Sequence, residues 1–157
     1  MANTMNTETP IADAAIRPAR ATDYSAIERL LTASGLPLDG IREALCSLLV
    51  AESRAEIVGV VGLEQCGSYG LLRSTAVAPE WRGKGLGRRL VEQMVAQAEA
   101  KGLHALYLLT TTAERYFPSF GFNVTTRDVV PPEVQATSEF QGACPASATV
   151  MCLPVSR

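Results

Sequence analysis

The chain has 157 residues, enough for one domain that buries roughly two-thirds of its unfolded surface. Its 14 Lys and Arg nearly cancel 16 Asp and Glu, which excludes a basic nucleic-acid face or a polybasic membrane patch as the main feature. No apolar run reaches the roughly 18 residues that cross a bilayer, so the expectation is a soluble, cytoplasmic protein with neither membrane nor nucleic-acid partner.

Residues 1–13 are rich in Thr, Asn and Ala and lack the basic start and apolar core of a secretory signal; they read as a disordered tail before a single domain over 14–157. Ile16 to Ala19 suits an edge strand. Thr22 or Asp23 then caps a helix with Ile27, Leu30, Leu31 and Ser34 on one face, which Gly35 stops. Ile41, Leu45 and Leu48 fall near helical spacing and predict a second helix over Asp39 to Cys46. Leu48 to Glu52 and Glu56 to Leu63 form a hairpin about Ser53-Arg54-Ala55, and a turn at Cys66-Gly67-Ser68 leads to a third strand, Gly70 to Val77. The result is an antiparallel meander.

Leu86, Leu90, Met94 and Ala98 mark a long helix that runs to about Lys101 and stops at Gly102, before the almost wholly apolar strand Ala105 to Thr110. Strand, helix and strand in this order make a crossover, so the strands ending at Val77 and Thr110 should be parallel neighbours. Thr112 reads as the cap of a short helix through Phe117, and Phe122 to Thr126 as a strand. Pro131-Pro132 opens another short helix, Glu133 to Phe140, and Ala148 to Leu153 is the last strand. Cys46, Cys66, Cys144 and Cys152 are too scattered for a zinc site or a disulfide frame and read as reduced, mostly buried thiols. His104 follows a helix stop and reads as a solvated residue.

The most informative stretch is Val77 to Leu90. Gly83, Gly85 and Gly87 alternate there with Arg82, Lys84 and Arg88 between a strand and a helix. Glycines let backbone N–H groups approach a ligand where side chains would obstruct, and the positive end of the helix dipole points at the same place, which is chemistry for a phosphate.

The run Arg82-Gly83-Lys84-Gly85-Leu86-Gly87, preceded by Val77-Ala78-Pro79 and followed by Gly121-Phe122, resembles the R-x-x-G-x-G acetyl-coenzyme A signature of the GCN5-related N-acetyltransferase (GNAT) superfamily over about residues 14–153. The fold so implied is α/β: a mixed, mostly antiparallel sheet with one splayed parallel pair and flanking helices. Leu72 to Val77, Tyr107 to Ala113, and Thr137 to Phe140 with Cys144 to Ala148 are further similar to the ArsN-type acetyltransferases of arsenic-resistance gene clusters. Leu109-Thr110-Thr111 and Phe117 to Phe122 are similar to the acetyltransferase domain of N-acetylglutamate synthase.

The resemblance implies an N-acetyltransferase that takes acetyl-coenzyme A as co-substrate and acetylates the amino group of a small anionic amino acid, such as a glutamate analogue containing arsenic or phosphorus. A different amine acceptor, or a non-catalytic binding module, is the alternative. In this reading the backbone of Arg82, Gly83, Lys84, Gly85, Leu86, Gly87 and Arg88 holds the pyrophosphate, the Arg82, Lys84 and Arg88 side chains either add charge there or form a solvated helix start, and the pantetheine arm lies between Ala76-Val77 and Leu109-Thr110. The Val77 N–H polarises the acetyl carbonyl. Many relatives place an acidic tyrosine four residues before the glycine of the Gly-Phe pair. That position is Phe117 here, and Tyr116, one residue earlier and about 100° away on the same helix, is either the general acid or a packing aromatic. Glu64 is either a base working through water or a solvent-facing strand end.

Arg73 is a charge in an otherwise apolar strand. It either grips an anionic acceptor with two parallel hydrogen bonds or turns to solvent or a homodimer partner. Ser74, Thr75, Thr111, Thr112 and Phe140 join it as acceptor-side candidates. The loop containing Glu139, Phe140, Cys144 and Ser147 either closes over the acceptor or forms a homodimer contact.

Overall fold

The computed structural model describes residues 14–43 and 45–155. The expectations for residues 1–13 and for the thiol of Cys46 lie outside the described residues. Among the described residues seven strands form one mixed sheet: β1 (Ala15–Pro18), β2 (Leu48–Ser53), β3 (Glu56–Cys66), β4 (Tyr69–Val77), β5 (Ala105–Thr110), β6 (Asn123–Thr125) and β7 (Thr149–Pro154). Their order across the sheet is β1-β2-β3-β4-β5-β7-β6, with β1 an edge strand as expected. The first four pair antiparallel as a meander, β4 and β5 are parallel, and β7 runs antiparallel between β5 and β6.

Strand alternation divides the core into two layers. Leu49, Ala51, Leu72, Leu106 and Leu108 face helix α2 (Leu86–Ala100), which buries Leu86, Leu90, Val91, Met94 and Ala98 along one stripe. Burying Leu86, Leu90, Val91 and Met94 is worth about 1.5–3 kcal/mol each. On the other face, Leu48, Val50, Val60 and Ala76 meet Ile27 and Leu31 of α1 (Tyr24–Ala33). Beside them Leu71, Tyr107 and Val150 meet Val130 and Val134, the latter on the short helix α3 (Pro132–Gln135).

The β2–β3 hairpin closes on a two-residue turn, with Ser53 paired to Glu56 and both Arg54 (φ 53°) and Ala55 (φ 69°) left-handed. That twist suits the strands but suits alanine poorly. Ala55→Gly is therefore expected to raise Tm by about 1–4 °C in a thermal melt, the relief of left-handed strain outweighing the added chain entropy. An unchanged or lower Tm would contradict this account of the turn.

Three expected helices are corrected. In place of the helix expected over Asp39 to Cys46, residues 39–43 make turns and Leu45–Ser47 a 3-10 turn, because Gly40 is left-handed (φ 75°) and breaks the repeat; Ile41 is buried all the same. Over Thr112 to Phe117 there is a bend and a turn, followed by a 3-10 turn at Phe117–Phe120. The helix expected over Glu133 to Phe140 is cut to α3, and Glu139–Ala143 forms a separate wide turn holding Gly142 at φ 128°.

Candidate active site

Beyond β4 the chain turns at Pro79–Trp81, extends through Arg82 and reaches α2 by way of Gly83 (φ 77°) and Gly85 (φ 87°). Apart from the adjoining residues of the chain, no protein atom lies within 4 Å of where a β-carbon would sit on either glycine, so backbone conformation and an open approach, not neighbouring side chains, select glycine here. Gly85 is the N-cap of α2 and supplies no side-chain cap. The first-turn N–H groups of Leu86, Gly87 and Arg88 therefore face the opening without an intrahelical acceptor, which suits an anion.

The basic side chains are less free than the sequence suggests. Arg82 donates from Nε to the Val77 carbonyl (3.0 Å), and Lys84 lies 5.9 Å from the Trp81 ring. Arg88 donates to Ser119 Oγ (2.8 Å), stacks on Phe120 and pairs with Glu92. Backbone amides, more than guanidinium groups, make up the cradle.

The second half of the site is a gap in the sheet. β4 and β5 pair only at Tyr69–Ala105, Gly70–Leu106 and Leu71–Tyr107, and then diverge. The cause lies in β4. Opposite β3 the register slips between Val60–Ala76 and Gly62–Arg73, so β4 carries one extra residue, and Ser74 takes a left-handed conformation (φ 61°). Such a bulge turns the strand and re-aims its side chains. A cleft of about 170 Å³ opens between Leu72 to Thr75 on one side and Leu108 to Thr110 on the other.

Ala78 donates its N–H to the Val58 carbonyl (2.8 Å), so strand alternation turns the Val77 N–H to the opposite side, where β5 has parted. Thr110 Oγ1 accepts from the N–H of Ala113 (2.9 Å) and of Thr112 (3.4 Å), so Thr110, not Thr112, is the residue that caps the following turn. Thr111 and Thr112 are exposed, and Thr112 lines the cleft mouth.

Arg73 does not face solvent: it is 5 % exposed and lines the cleft. Its Nε donates to Ser74 Oγ (3.1 Å) and lies 3.3 Å from Glu139 Oε2. Nη1 meets Glu64 Oε1 at 3.4 Å, and Nη2 donates to the Asp39 carbonyl at 2.6 Å. Each terminal nitrogen carries a second N–H beyond those contacts. The loop around Gly40 thus holds the arginine.

Glu64 reaches Arg73 from the far side; it lines the adjoining pocket with Gly40 and Thr137, not the cleft. Phe140 is likewise outside the cleft, under the Arg127 guanidinium (5.4 Å). Its neighbour Glu139, which sequence reading assigns only to the closing loop, is 4 % exposed and lines the cleft with Cys144. Burial pushes the Glu139 carboxyl above the usual range, against the pull of Arg73. Burial also pushes the Cys144 thiol up to about 11. No local pattern marks Glu139, because its partner lies 66 positions earlier on β4.

Tyr116 touches both halves, lining the cleft and the glycine opening. A β-carbon on Gly87 would lie 3.1 Å from its hydroxyl. Because the segment is a turn, the helical offset does not apply: Phe117 packs edge-on against Phe122 (5.8 Å) in the core, and Tyr116 is left at the opening. Burial raises the Tyr116 phenol, partly offset by Arg88, so it keeps its proton through neutral pH. His104 is exposed, edge-on to Tyr69. Cys66, Cys144 and Cys152 are free thiols, and the described residues hold no group of three or more metal-ligating side chains. No helix among them is long and apolar enough to cross a membrane.

A split parallel pair beside a glycine-lined helix start defines an acetyltransferase of the GNAT type. The chain belongs to that family: the family model described as an acetyltransferase (GNAT) domain matches residues 44–124. An uncharacterized N-acetyltransferase of Chlorobaculum tepidum is 29% identical over 133 residues, covering 80% of this chain and 85% of that protein. The amino-acid acetyltransferase of Edwardsiella ictaluri is 33% identical over 72 residues, which are 46% of this chain but 16% of that protein. N-acetylglutamate synthase from Neisseria gonorrhoeae, solved with coenzyme A and N-acetyl-glutamate, superposes with a TM-score of 0.80 at 21% identity. That match covers 92% of this chain and 35% of the synthase, so this chain spans about a third of it.

Proposed function

We propose that this protein transfers the acetyl group of acetyl-coenzyme A to the amino group of a small amino acid, with glutamate and its phosphinic and arsinic analogues as the leading acceptors. The observation that carries this reading is Arg73, buried at the cleft between two carboxylates. An amino acid offers both charges. Its carboxylate suits the remaining N–H groups of the guanidinium, and its ammonium suits Glu139. The names of the amino-acid acetyltransferase relatives and the product bound to the synthase point the same way.

In this mechanism the first-turn amides of α2 and the opened Gly83–Gly85 backbone take the pyrophosphate, and the pantetheine arm lies between Ala76-Val77 and Leu109-Thr110. The acetyl carbonyl accepts from the Val77 N–H, a preorganised donor worth a few kcal/mol in the transition state. Tyr116 protonates the departing sulfur. Tyr116→Phe is expected to lower kcat about 10- to 100-fold and to remove the alkaline limb of the rate profile, since the phenol must be protonated to act. A change under about twofold would make Tyr116 a packing residue, the thiolate then leaving unaided.

The reading is tested by a thiol-release screen over glutamate, aspartate, phosphinothricin, arsinothricin and, as a cationic contrast, spermidine. Turnover of the acidic amino acids with N-acetylated product by mass spectrometry is expected. Turnover of spermidine alone would overturn the acceptor class, and coenzyme A binding without any turnover would make the protein a binding module.

A further inference from the structure

Glu139 is the one carboxylate that lines the cleft among the described residues, and it stands on the same wall as Arg73. Around it are Arg73 on β4, Glu64 on β3 and Asp39 in the loop after α1. Cys144 follows on its own segment, where Arg127 bears on that thiol. Arg73 is the cation in direct contact with it. The same guanidinium also meets Glu64, so two carboxylates share one positive charge.

We infer that Glu139 takes the proton of the acceptor ammonium, and that acceptor binding on Arg73 sets the base in readiness. The inference rests on the amino-acid reading above and adds to it a catalytic residue and a coupling. When the acceptor carboxylate docks on Arg73, the guanidinium charge is shared with a third anion. For a given ammonium beside it, Glu139 then holds a proton more strongly than it would without that third anion on Arg73. The carboxylate takes one proton from R–NH3⁺ and leaves the nitrogen lone pair free. Nitrogen attacks the thioester carbonyl carbon, the C–N bond forms, and the C–S bond breaks with its electron pair going to sulfur. The second nitrogen proton is lost as the intermediate collapses, and the thiolate is protonated. One proton in total passes to solvent, by way of Glu139.

The test uses the full chain with acetyl-coenzyme A and the best acceptor from the screen. Glu139→Gln is expected to lose about 100-fold or more in kcat. Coenzyme A affinity by calorimetry should be unchanged, and activity should rise log-linearly with pH as the free amine fraction grows. Glu139→Asp should recover part of the rate and keep an acidic limb. In the wild type, the acidic limb of kcat, which reports the bound complex, should lie at higher pH for the amino acid than for the same compound with its carboxylate converted to an amide, since both bring an ammonium and only the first brings the third anion.

Glu139→Gln with kcat and pH profile unchanged on an acidic amino acid overturns the base and leaves the proposed function standing. Coincident or reversed acidic limbs overturn the coupling. If Glu139→Gln fails a melting control, the Glu139→Asp profile and the two wild-type limbs decide. Wild-type turnover of an amine but no amino acid overturns the acceptor reading and the coupling, and Glu139→Gln is then read on that amine. No turnover of any amine overturns both.

Discussion

Arg73→Ala is expected to cut kcat/KM for an acidic amino acid about 100-fold, through the loss of charge-assisted hydrogen bonds worth about 1.5–3 kcal/mol each. It should also destabilise the fold, because the buried Glu139 and the half-buried Glu64 lose their shared cation. Breaking such a pair by removing one partner costs about 3–5 kcal/mol, which in a domain of this size lowers Tm by about 6–20 °C. The two effects separate in the double variant Arg73→Ala with Glu139→Gln. The melt should recover as the orphaned charge disappears, while the acceptor defect remains. Recovery of acceptor affinity in the double variant, read by calorimetry with coenzyme A bound because Glu139→Gln by itself costs kcat, would show that Arg73 serves only to neutralise its neighbours.

The second large effect is expected at the glycine opening. Gly85→Val puts a β-branched residue at φ 87°, which costs about 1–3 kcal/mol of strain unless the loop rearranges. Rearrangement would turn away the amides at the start of α2, each worth about 1.5–3 kcal/mol against a charged phosphate. Coenzyme A affinity by calorimetry should fall at least about tenfold, with the α2 core intact because the stripe from Leu86 to Ala98 is untouched. Equal affinity in variant and wild type would contradict the backbone-cradle account. The open space around Gly85 sharpens this test: no protein clash stands ready to explain a defect.

Much of the frame was legible because its signals are local. Ala105 to Thr110 reads as a buried strand from its own composition and is one, and the Leu86-to-Ala98 spacing marks the buried face of α2. Arg73 stood out by contradicting its own strand. What escaped the sequence depends on pairing across distance. The left-handed Ser74 follows from a register slip against β3, and nothing in Leu72 to Val77 announces it. Glu64 and Glu139 cannot be ranked locally, since which of them faces the cleft is decided by how Arg73 lies between them. The helix expected over Asp39 to Cys46 fails for a local reason: a few suitably spaced apolar residues, such as Ile41 and Leu45, do not outweigh the left-handed Gly40 within the same turn.

The three residue pairs between β4 and β5 carry a mechanical consequence. The seven strands behave as two half-sheets joined at a short seam, with β1 to β4 on one side and β5, β7 and β6 on the other, and the width of the proposed active-site cleft is how far that seam has run open. Site width and sheet stability are therefore a single variable with opposed optima. A substitution in β4 that removed the bulge at Ser74 and let pairing run on past Leu71–Tyr107 would yield a harder protein to unfold and a worse enzyme.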